Sequence, residues 1–232
     1  MRKRIILVCT MAMTVVAIMV LARAQDIGPV TLRERALVTG NYVKIASASQ
    51  TPMFQDLDQL GAASTLIIKG TVRENISKLS ADGNFISTNY TVVVDQVFKG
   101  SLVTVNDSIT VSIPGGKVGF RGRTPDKPAF AEVKAPWFKR MEDGKQYYLF
   151  LSPDRPAPTT QNIPNPSGLV PFLPTGGPQG VFEVAGGVVK THSGRPLDPV
   201  RAYNNAAVSS FNQQVVVAAQ PHSPTVLVPV DH

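Results

Sequence analysis

Apolar and polar positions alternate through the middle of the chain, and this pattern predicts β-structure. Across residues 64–73, Leu66 and Ile68 fall on one face of a half-buried strand. A longer strand is predicted over residues 85–99, where the alternation slips beside Asp95 and indicates a β-bulge. Further strands are predicted at residues 42–45, 108–113, 130–133, 146–152, 181–184 and 188–191.

Two segments show apolar spacings of three and four and are predicted as helices. The first covers residues 52–60, with Thr51 as the N-cap and Pro52 in the first turn, where no backbone donor is needed. The second covers residues 199–218 and begins after Asp198, which supplies the same combination of cap and proline. Both helices would lay one apolar stripe on the sheet.

The order of these elements predicts a mainly β protein with a small antiparallel barrel, a short N-terminal helix and a C-terminal helix. The long bent strand favours a barrel over a flat sheet. The predicted organisation is a signal peptide at 1–24, an N-terminal arm at 25–50, a β-barrel core at 51–152, a Pro-rich loop at 153–180, a hairpin and helix completing the domain at 181–218, and a disordered tail at 219–232.

The N-terminus has the features of a secretory signal peptide. Basic residues at 2–4 precede an apolar run over residues 5–21, and Ala22 and Ala24 are small residues at the positions that a signal peptidase reads. Cleavage between Ala24 and Gln25 is therefore predicted, and with it a secreted or periplasmic location. The alternative is an uncleaved membrane anchor, since the run reaches the lower limit of a membrane span.

Composition restricts the chemistry available to the chain. Its 232 residues carry a formal net charge of +7, but four of the 23 Lys and Arg residues lie in the first 24 positions. The other 19 face 16 acidic residues without clustering, so a nucleic-acid partner is not expected. Cys9 lies in the apolar run, and the chain has three His residues, so we expect no metal and no cofactor.

Four pieces of sequence carry a resemblance to a known family. They read LIIKGTV at 66–72, YTVVVDQVFKG at 90–100, ITVSIPGG at 109–116 and GKQYYLFL at 144–151. Their order resembles that of uncharacterised secreted bacterial proteins similar to the OB-fold of netrin-type and tissue-metalloprotease-inhibitor domains. The resemblance implies an OB-like barrel and an extracytoplasmic setting. The inhibitors bind zinc through an N-terminal Cys that this chain lacks after residue 24, so that mechanism does not transfer.

Catalytic motifs are absent from the sequence, including the serine-hydrolase elbow, the zinc-protease helix and the phosphate-binding loops. His192 and Ser193 with the nearby Asp198 are the closest approach to catalytic material, and we predict that they are solvated loop residues. Asp56 and Asp58 do not share a helical face, so they are not expected to act as a pair. Asp56 is explained by a helix N-terminus.

A basic and aromatic stretch over residues 117–140 is the candidate binding surface. Barrel loops commonly carry ligand sites, and Arg and aromatic side chains are frequent anchors of interfaces. In the competing interpretation the loop is solvated, and its Trp and Phe pack on the barrel. The candidate binding residues are Lys117, Arg121, Arg123, Trp137, Phe138, Lys139 and Arg140.

The predicted function is a non-enzymatic binding or envelope-interaction module, whose partner is an envelope or extracellular protein or a glycan. Two alternatives stay open. One is an extracytoplasmic hydrolase whose site is assembled only by folding, and the other is a structural protein held in the membrane by residues 5–21. Membrane contact is expected only through an uncleaved N-terminal segment.

Overall fold

The computed structural model describes residues 30–47, 53–122, 127–154 and 171–221. Its α-helices are α1 (Leu32–Thr39), α2 (Leu57–Ala63) and α3 (Val208–Ala218). Its strands are β1 (Asn41–Ile45), β2 (Leu66–Leu79), β3 (Ile86–Lys99), β4 (Ser108–Pro114), β5 (Gly116–Phe120), β6 (Ala129–Lys134), β7 (Gln146–Pro153), β8 (Phe172–Pro174), β9 (Val181–Ala185) and β10 (Val188–Thr191). Short 3₁₀ helices cover Gly177–Gly180 and Pro199–Tyr203.

Seven strands form the large sheet, in the order β10-β9-β7-β2-β3-β4-β8. Strand β8 also pairs with β7, so the pairings of β7, β2, β3, β4 and β8 close into a ring. The mainly β prediction is confirmed. The barrel is not a clean one, because β8 meets β4 through the single parallel pair Val111–Phe172, and β9 and β10 extend away from the ring.

A β-bulge bends the two longest strands, as the slipped alternation predicted. Lys69 pairs with Gln96 and Gly70 pairs with Val94, so Asp95 is the extra residue on β3. Two further shifts in register occur along the same pair of strands, between Ile67 and Ile68 and between Val72 and Glu74. Bulges increase local twist, and this curvature carries the sheet around toward closure.

Apolar side chains are buried in three separate clusters. The first fills the ring and includes Tyr90, Tyr147 and Phe172. The second lies on the other face of β2 and β7, beneath α2 and α3, and includes Phe150 and Phe211. The third lies under α1 and the small sheet. Because β7 contributes to both of the first two clusters, it is the central buried strand that its continuous apolar run predicted.

The small sheet has the order β1-β6-β5, with β1 parallel to β6. It continues directly from the large sheet, because β4 ends at Pro114 and β5 begins at Gly116. A Cβ at Gly116 would lie 2.5 Å from the Ser77 hydroxyl oxygen, so only glycine lets β5 pass this close to β2. The backbone N–H of Lys117 donates to the same Ser77 Oγ at 3.3 Å.

The first predicted helix is shifted along the chain. It begins after Asp56, whose carboxylate accepts from the backbone N–H of Gln59 at 2.8 Å, and it runs to Ala63 instead of ending at residue 60. The proposed cap, Thr51 with Pro52, lies outside the described residues. The correction has a physical reason, since an aspartate is a strong N-cap and Asp56 is placed to satisfy an early backbone donor.

The predicted C-terminal helix is divided into two parts. Asp198 caps a 3₁₀ helix as expected, by accepting from the N–H of Val200, and α3 begins only at Val208. Between them, Asn205 donates to the Val189 carbonyl at 2.8 Å, and Ala206 accepts from the Val189 N–H at 2.9 Å. These backbone groups extend the edge of β10, so they are not available to a continuous helix.

Four described elements fall in segments predicted as arm or loop: α1, β5, and, within the predicted Pro-rich loop at 153–180, β8 and the 3₁₀ helix at Gly177–Gly180. Phe172 of β8 is buried in the first cluster, so this part of the segment belongs to the core. Helix α1 lies in the arm and begins with a capping box formed by Thr31 and Glu34. Strand β5 lies in the stretch predicted as a loop, beside the predicted strand at 130–133, which is confirmed as part of β6. The predicted strands at 42–45 and 108–113 and the hairpin of β9 and β10 are confirmed. The signal peptide, most of the Pro-rich loop and the tail after residue 221 lie outside the described residues.

Candidate functional site

The candidate binding residues are arranged around β6, whose side chains alternate between the third apolar cluster and the outside. Ala129, Ala131 and Val133 are buried, so Phe130 and Glu132 point away from the cluster. The small sheet therefore presents an outward face to solvent. We call this the outer sheet surface; its residues are Val43, Ile45, Lys117, Phe130, Glu132, Lys134 and the adjoining Arg140.

Two of the predicted binding residues converge on this surface. Lys117 is directly opposite Glu132 on neighbouring strands, and its Nζ lies 4.5 Å from the ring centroid of Phe130. Arg140 Nη2 lies 3.7 Å from Glu132 Oε1, and its side chain is 55% exposed. Lys117 and Arg140, which are 23 positions apart in the sequence, are thus brought to the same acidic residue.

Strand β1 adds exposed apolar side chains to the outer sheet surface. Val43 is 51% exposed and Ile45 is 70% exposed, and they lie in register with Glu132 and Lys134 of β6. The surface therefore joins two aliphatic side chains to three cations and one acid. Arginine is enriched at protein interfaces, whereas single exposed aliphatic side chains are common on any protein surface.

The backbone N–H and C=O groups of β1 point alternately toward β6 and toward the open edge of the small sheet. The Gly40 carbonyl accepts from Phe130, and the Ala46 N–H donates to Lys134, so even-numbered residues face β6. By the alternation of a parallel ladder, the N–H and C=O groups of Val43 and Ile45 face the open edge. Within the described residues, β6 is the only strand paired with β1.

The segment after β6, residues 135–141, carries the other predicted aromatic residues. Phe138 is 6% exposed and belongs to the cluster inside the ring, and Trp137 is half-buried against that cluster. These rings anchor the segment to the barrel. Lys139 is exposed, Arg121 is exposed just beyond β5, and Arg123 lies outside the described residues.

Three backbone and side-chain contacts fasten this segment to residues 192–194. The antiparallel bridge between Phe138 and Ser193 supplies two of them, since Gly194 N–H donates to the Trp137 carbonyl at 2.9 Å and Lys139 N–H donates to the His192 carbonyl at 3.4 Å. The third contact joins His192 Nδ1 to the Lys139 carbonyl oxygen at 3.0 Å. The position of Lys139 and Arg140 therefore depends on a buried residue far along the chain.

His192 is not the solvated loop residue that the sequence predicted, since it is 2% exposed. Its Nε2 lies 3.6 Å from Glu183 Oε2, beyond hydrogen-bond distance, and the edge of the Tyr147 ring packs against the imidazole. Among the described residues, Nε2 is the buried side-chain nitrogen or oxygen that has no hydrogen-bond partner. Burial lowers the pKa of His192, and the Lys139 carbonyl and Glu183 partly oppose that change.

Glu183 connects His192 to a charged chain at the surface. Lys145 Nζ lies 2.9 Å from Glu183 Oε1 and 2.9 Å from Glu142 Oε2. Burial alone would raise the pKa of Glu183, but the hydrogen bond and charge of Lys145, together with His192, hold it below its ordinary value. The hydrogen bonds that Lys145 donates to Glu142 and Glu183 raise the pKa of Lys145. Sequence reasoning missed Glu183, because only the register of β7 with β9 reveals its neighbours.

Ser193 belongs to a different polar network from His192, although it was also predicted to be solvated. Ser193 is 4% exposed, and its hydroxyl donates a hydrogen bond to Asp198, which is also buried. Asp198 also accepts from Gln179 Nε2 at 2.8 Å. The Gln179 side chain forms two hydrogen bonds with the backbone of Phe54, since its Oε1 accepts from the Phe54 N–H and its Nε2 donates to the Phe54 carbonyl. In a serine–histidine–acid triad the serine hydroxyl donates to the imidazole, whereas the Ser193 hydroxyl donates to Asp198, so these residues form a structural clamp and not such a triad.

A depression among the described residues lies elsewhere, between α2 and α3. It encloses about 290 Å³ and is lined by Asp56, Leu57, Asp58, Tyr203, Gln213, Gln214 and Val217. The Asp56 carboxylate caps the N-terminus of α2 by accepting from the Gln59 N–H, in agreement with the role predicted for it. Within the described residues, no group of three or more His, Cys, Asp or Glu side chains is arranged to hold a metal ion.

None of the described helices has both the length and the apolar character needed to cross a membrane. No protein-family model matches the chain, and no curated protein matches its sequence. The resemblance to netrin-type domains therefore stays an expectation that depends on the four pieces of sequence quoted above.

Proposed function

We propose that this protein is a secreted or periplasmic binding module that contacts a protein of the envelope or the extracellular space through the outer sheet surface. The observation that carries the proposal is one surface on which Lys117 lies opposite Glu132, Arg140 pairs with Glu132, and Val43 and Ile45 are exposed. The extracytoplasmic location is supported by the signal-peptide pattern of residues 1–24.

A protein partner fits this surface better than a glycan because of its mixture of side chains. Val43 and Ile45 offer aliphatic area, while Lys117, Lys134 and Arg140 supply cations that are only partly balanced by Glu132. Complementary charge accelerates association and selects partners, and apolar area supplies affinity. The expected partner surface therefore carries apolar side chains that meet Val43 and Ile45 at the β1 edge, and acidic side chains that meet the neighbouring cations.

Support for an extracytoplasmic hydrolase is weaker. His192 approaches Glu183, and Ser193 is committed to Asp198, so the hydroxyl has no histidine to take its proton. The alternative of a membrane-anchored structural protein depends on residues 5–21 and on whether they are removed. The intact mass of the exported protein separates the two forms, since loss of the first 24 residues excludes the anchor.

The binding proposal is tested by immobilising residues 25–232 and capturing partners from the extracytoplasmic fraction of the source cells. The test variant carries Lys117→Ala and Arg140→Ala. A matched variant carries Lys190→Ala and Arg201→Ala, which removes the same charge from exposed positions on β10 and the second 3₁₀ helix.

A partner retained by the matched variant and lost by the test variant supports the outer sheet surface. Equal retention by both variants places the contact elsewhere and contradicts the proposed surface. Capture of no protein, together with binding on a glycan array, would replace the protein partner with a glycan.

A further inference from the structure

We infer that His192 is a proton-operated latch, which holds residues 135–141 against the barrel at neutral pH and releases them in acid. The segment is fastened at Trp137, Phe138 and Lys139 to residues 192–194, and the imidazole supplies the side-chain part of this attachment. No other described part of the chain combines a buried imidazole with a segment leading to an exposed, charged surface.

The proton positions follow from the partners of the ring. The Lys139 carbonyl oxygen only accepts hydrogen bonds, so the Nδ1 of His192 carries a proton and donates to it at 3.0 Å. The neutral ring then leaves Nε2 without a proton, facing Glu183 Oε2 at 3.6 Å. A second proton can bind only at Nε2, inside the protein, where water does not reach the atom.

The charged groups around His192 do not provide a free counter-ion for the protonated ring. Glu183 on β9 is already paired with Lys145 through its other oxygen. The Tyr147 side chain of β7 presents its ring edge, and the Lys139 side chain adds positive charge from the released segment itself. Asp198, the acid nearest in the chain, is taken up by Ser193 and Gln179.

Proton linkage then sets the direction of the change. Burial holds the pKa of His192 below its ordinary value of 6.5, whereas an opened segment exposes the ring and restores that value. The opened form therefore binds the proton more readily and gains population as the pH falls below 6.5. At a pH well below both pKa values, the opened population increases about tenfold for each unit by which the His192 pKa of the closed form lies below that of the opened form.

Release of residues 135–141 would move Lys139 and Arg140, which adjoin the outer sheet surface. A loss of partner binding in acid is the consequence that rests on the proposed function. The latch itself does not depend on that function, because it is measured on the free protein. Failure to find a partner therefore leaves the test of the latch unchanged.

The test follows amide hydrogen exchange and the His192 NMR titration on residues 25–232 between pH 7.5 and pH 5. The amides of Lys139 and Gly194 report on the latch because they donate to His192 and Trp137 across the junction. The Thr65 amide, which donates to Leu151 in the barrel, reports on global opening. After correction for intrinsic exchange, the protection of Lys139 and Gly194 is expected to fall by about threefold to tenfold between pH 7.5 and pH 5, while the protection of Thr65 is unchanged.

Two variants isolate the imidazole. His192→Asn keeps a donor for the Lys139 carbonyl without a titrating ring, and it is expected to abolish the acid-dependent loss of protection. Glu183→Gln preserves size and removes the charge that favours imidazolium, so the closed-form His192 titration is expected at lower pH and the acid-dependent loss of protection is expected to be larger than in the wild type. If His192→Asn does not fold, Glu183→Gln still provides the test.

A His192 titration at or above pH 6.5 overturns the latch, because acid would then tighten the segment. An equal loss of protection in acid at Thr65, Lys139 and Gly194 also overturns the latch, because it indicates global destabilisation. Unchanged protection of Lys139 and Gly194 across the pH range also contradicts the inference.

Discussion

Gly61 of α2 lies against the backbone of Ala218 at the end of α3, so closely that a Cβ on Gly61 would be 2.3 Å from the Ala218 carbonyl oxygen. The sequence suggested that Gly61 ends the helix, but α2 continues through it to Ala63. The absence of a side chain serves the approach of two helices. This contact fixes the C-terminal helix over the aromatic cluster formed around Phe150 and Phe211.

Replacing Gly61 with Ala is expected to lower the free energy of unfolding by about 1–3 kcal/mol, because the added methyl group overpacks the contact with Ala218. Urea denaturation measures the change. Ala62→Leu enlarges an exposed position of the same helix and is expected to change stability by less than about 0.5 kcal/mol. Equal stability of Gly61→Ala and the wild type would contradict the close approach.

Removing the Asp198 carboxylate is expected to cost about 2 kcal/mol or more, because buried donors of Ser193 and Gln179 would lose their acceptor. Thermal and urea unfolding of Asp198→Ala provide the measurement. Asp58→Ala is the control, since Asp58 is exposed in the first turn of α2 and its loss removes only a favourable charge worth about 0.3–1 kcal/mol. Similar losses in both variants would show that the clamp does not contribute to stability.

Arg140→Ala is expected to leave the free energy of unfolding within about 0.5 kcal/mol of the wild type, because the Arg140–Glu132 pair is solvent-exposed and 3.7 Å apart. A double-mutant cycle with Glu132→Gln isolates the pair. A coupling energy above about 1 kcal/mol would assign the pair a structural role. Small coupling leaves any loss of partner binding attributable to the surface itself.

Alkaline pH is expected to destabilise the fold through Tyr147. Burial raises the pKa of this phenol from 10.0 to about 12, and the hydrogen bond that its oxygen accepts from the Glu142 N–H only partly opposes that change. A raised folded pKa gives a contribution that is fully present below pH 10 and is lost as the pH rises toward 12. Chemical denaturation at pH 9 and pH 11 is expected to show a smaller loss in Tyr147→Phe than in the wild type. Equal losses would transfer the effect to Tyr90 and Tyr148, whose pKa values are also raised by burial.

Long strands with a regular pattern could be predicted from sequence, and short elements without one could not. The bulge at Asp95 was visible because the alternation of β3 changes phase there. Helix α1 was missed because it buries only Leu32 and Ala36, which is too few positions to reveal a helical period. Strand β5 was missed because two of its five residues are Gly, which is depleted in strands.

The residues of the candidate site also differ in whether the sequence identified them. Basic and aromatic residues over 117–140 were identified from composition, and the structure places Lys117 opposite Glu132 and Arg140 Nη2 3.7 Å from the Glu132 carboxylate. The exposed Val43 and Ile45 had no signal as surface residues, because an apolar residue on a strand predicts burial. The contact of His192 with Glu183 depends on how the end of β10 lies over β9, which no local pattern encodes.

Strand β7 pairs with β2, β8 and β9, and this arrangement makes the order of synthesis important for the protein. A nascent chain that has produced β2, β3 and β4 holds an apolar sheet with an open edge until Gln146 and the residues after it emerge. The barrel core can form only afterwards, through contacts between distant parts of the sequence, which are slow to establish. Until those residues emerge, the unpaired edge of β2 is open to pairing with another chain, so this interval of synthesis is the one in which the protein is exposed to aggregation.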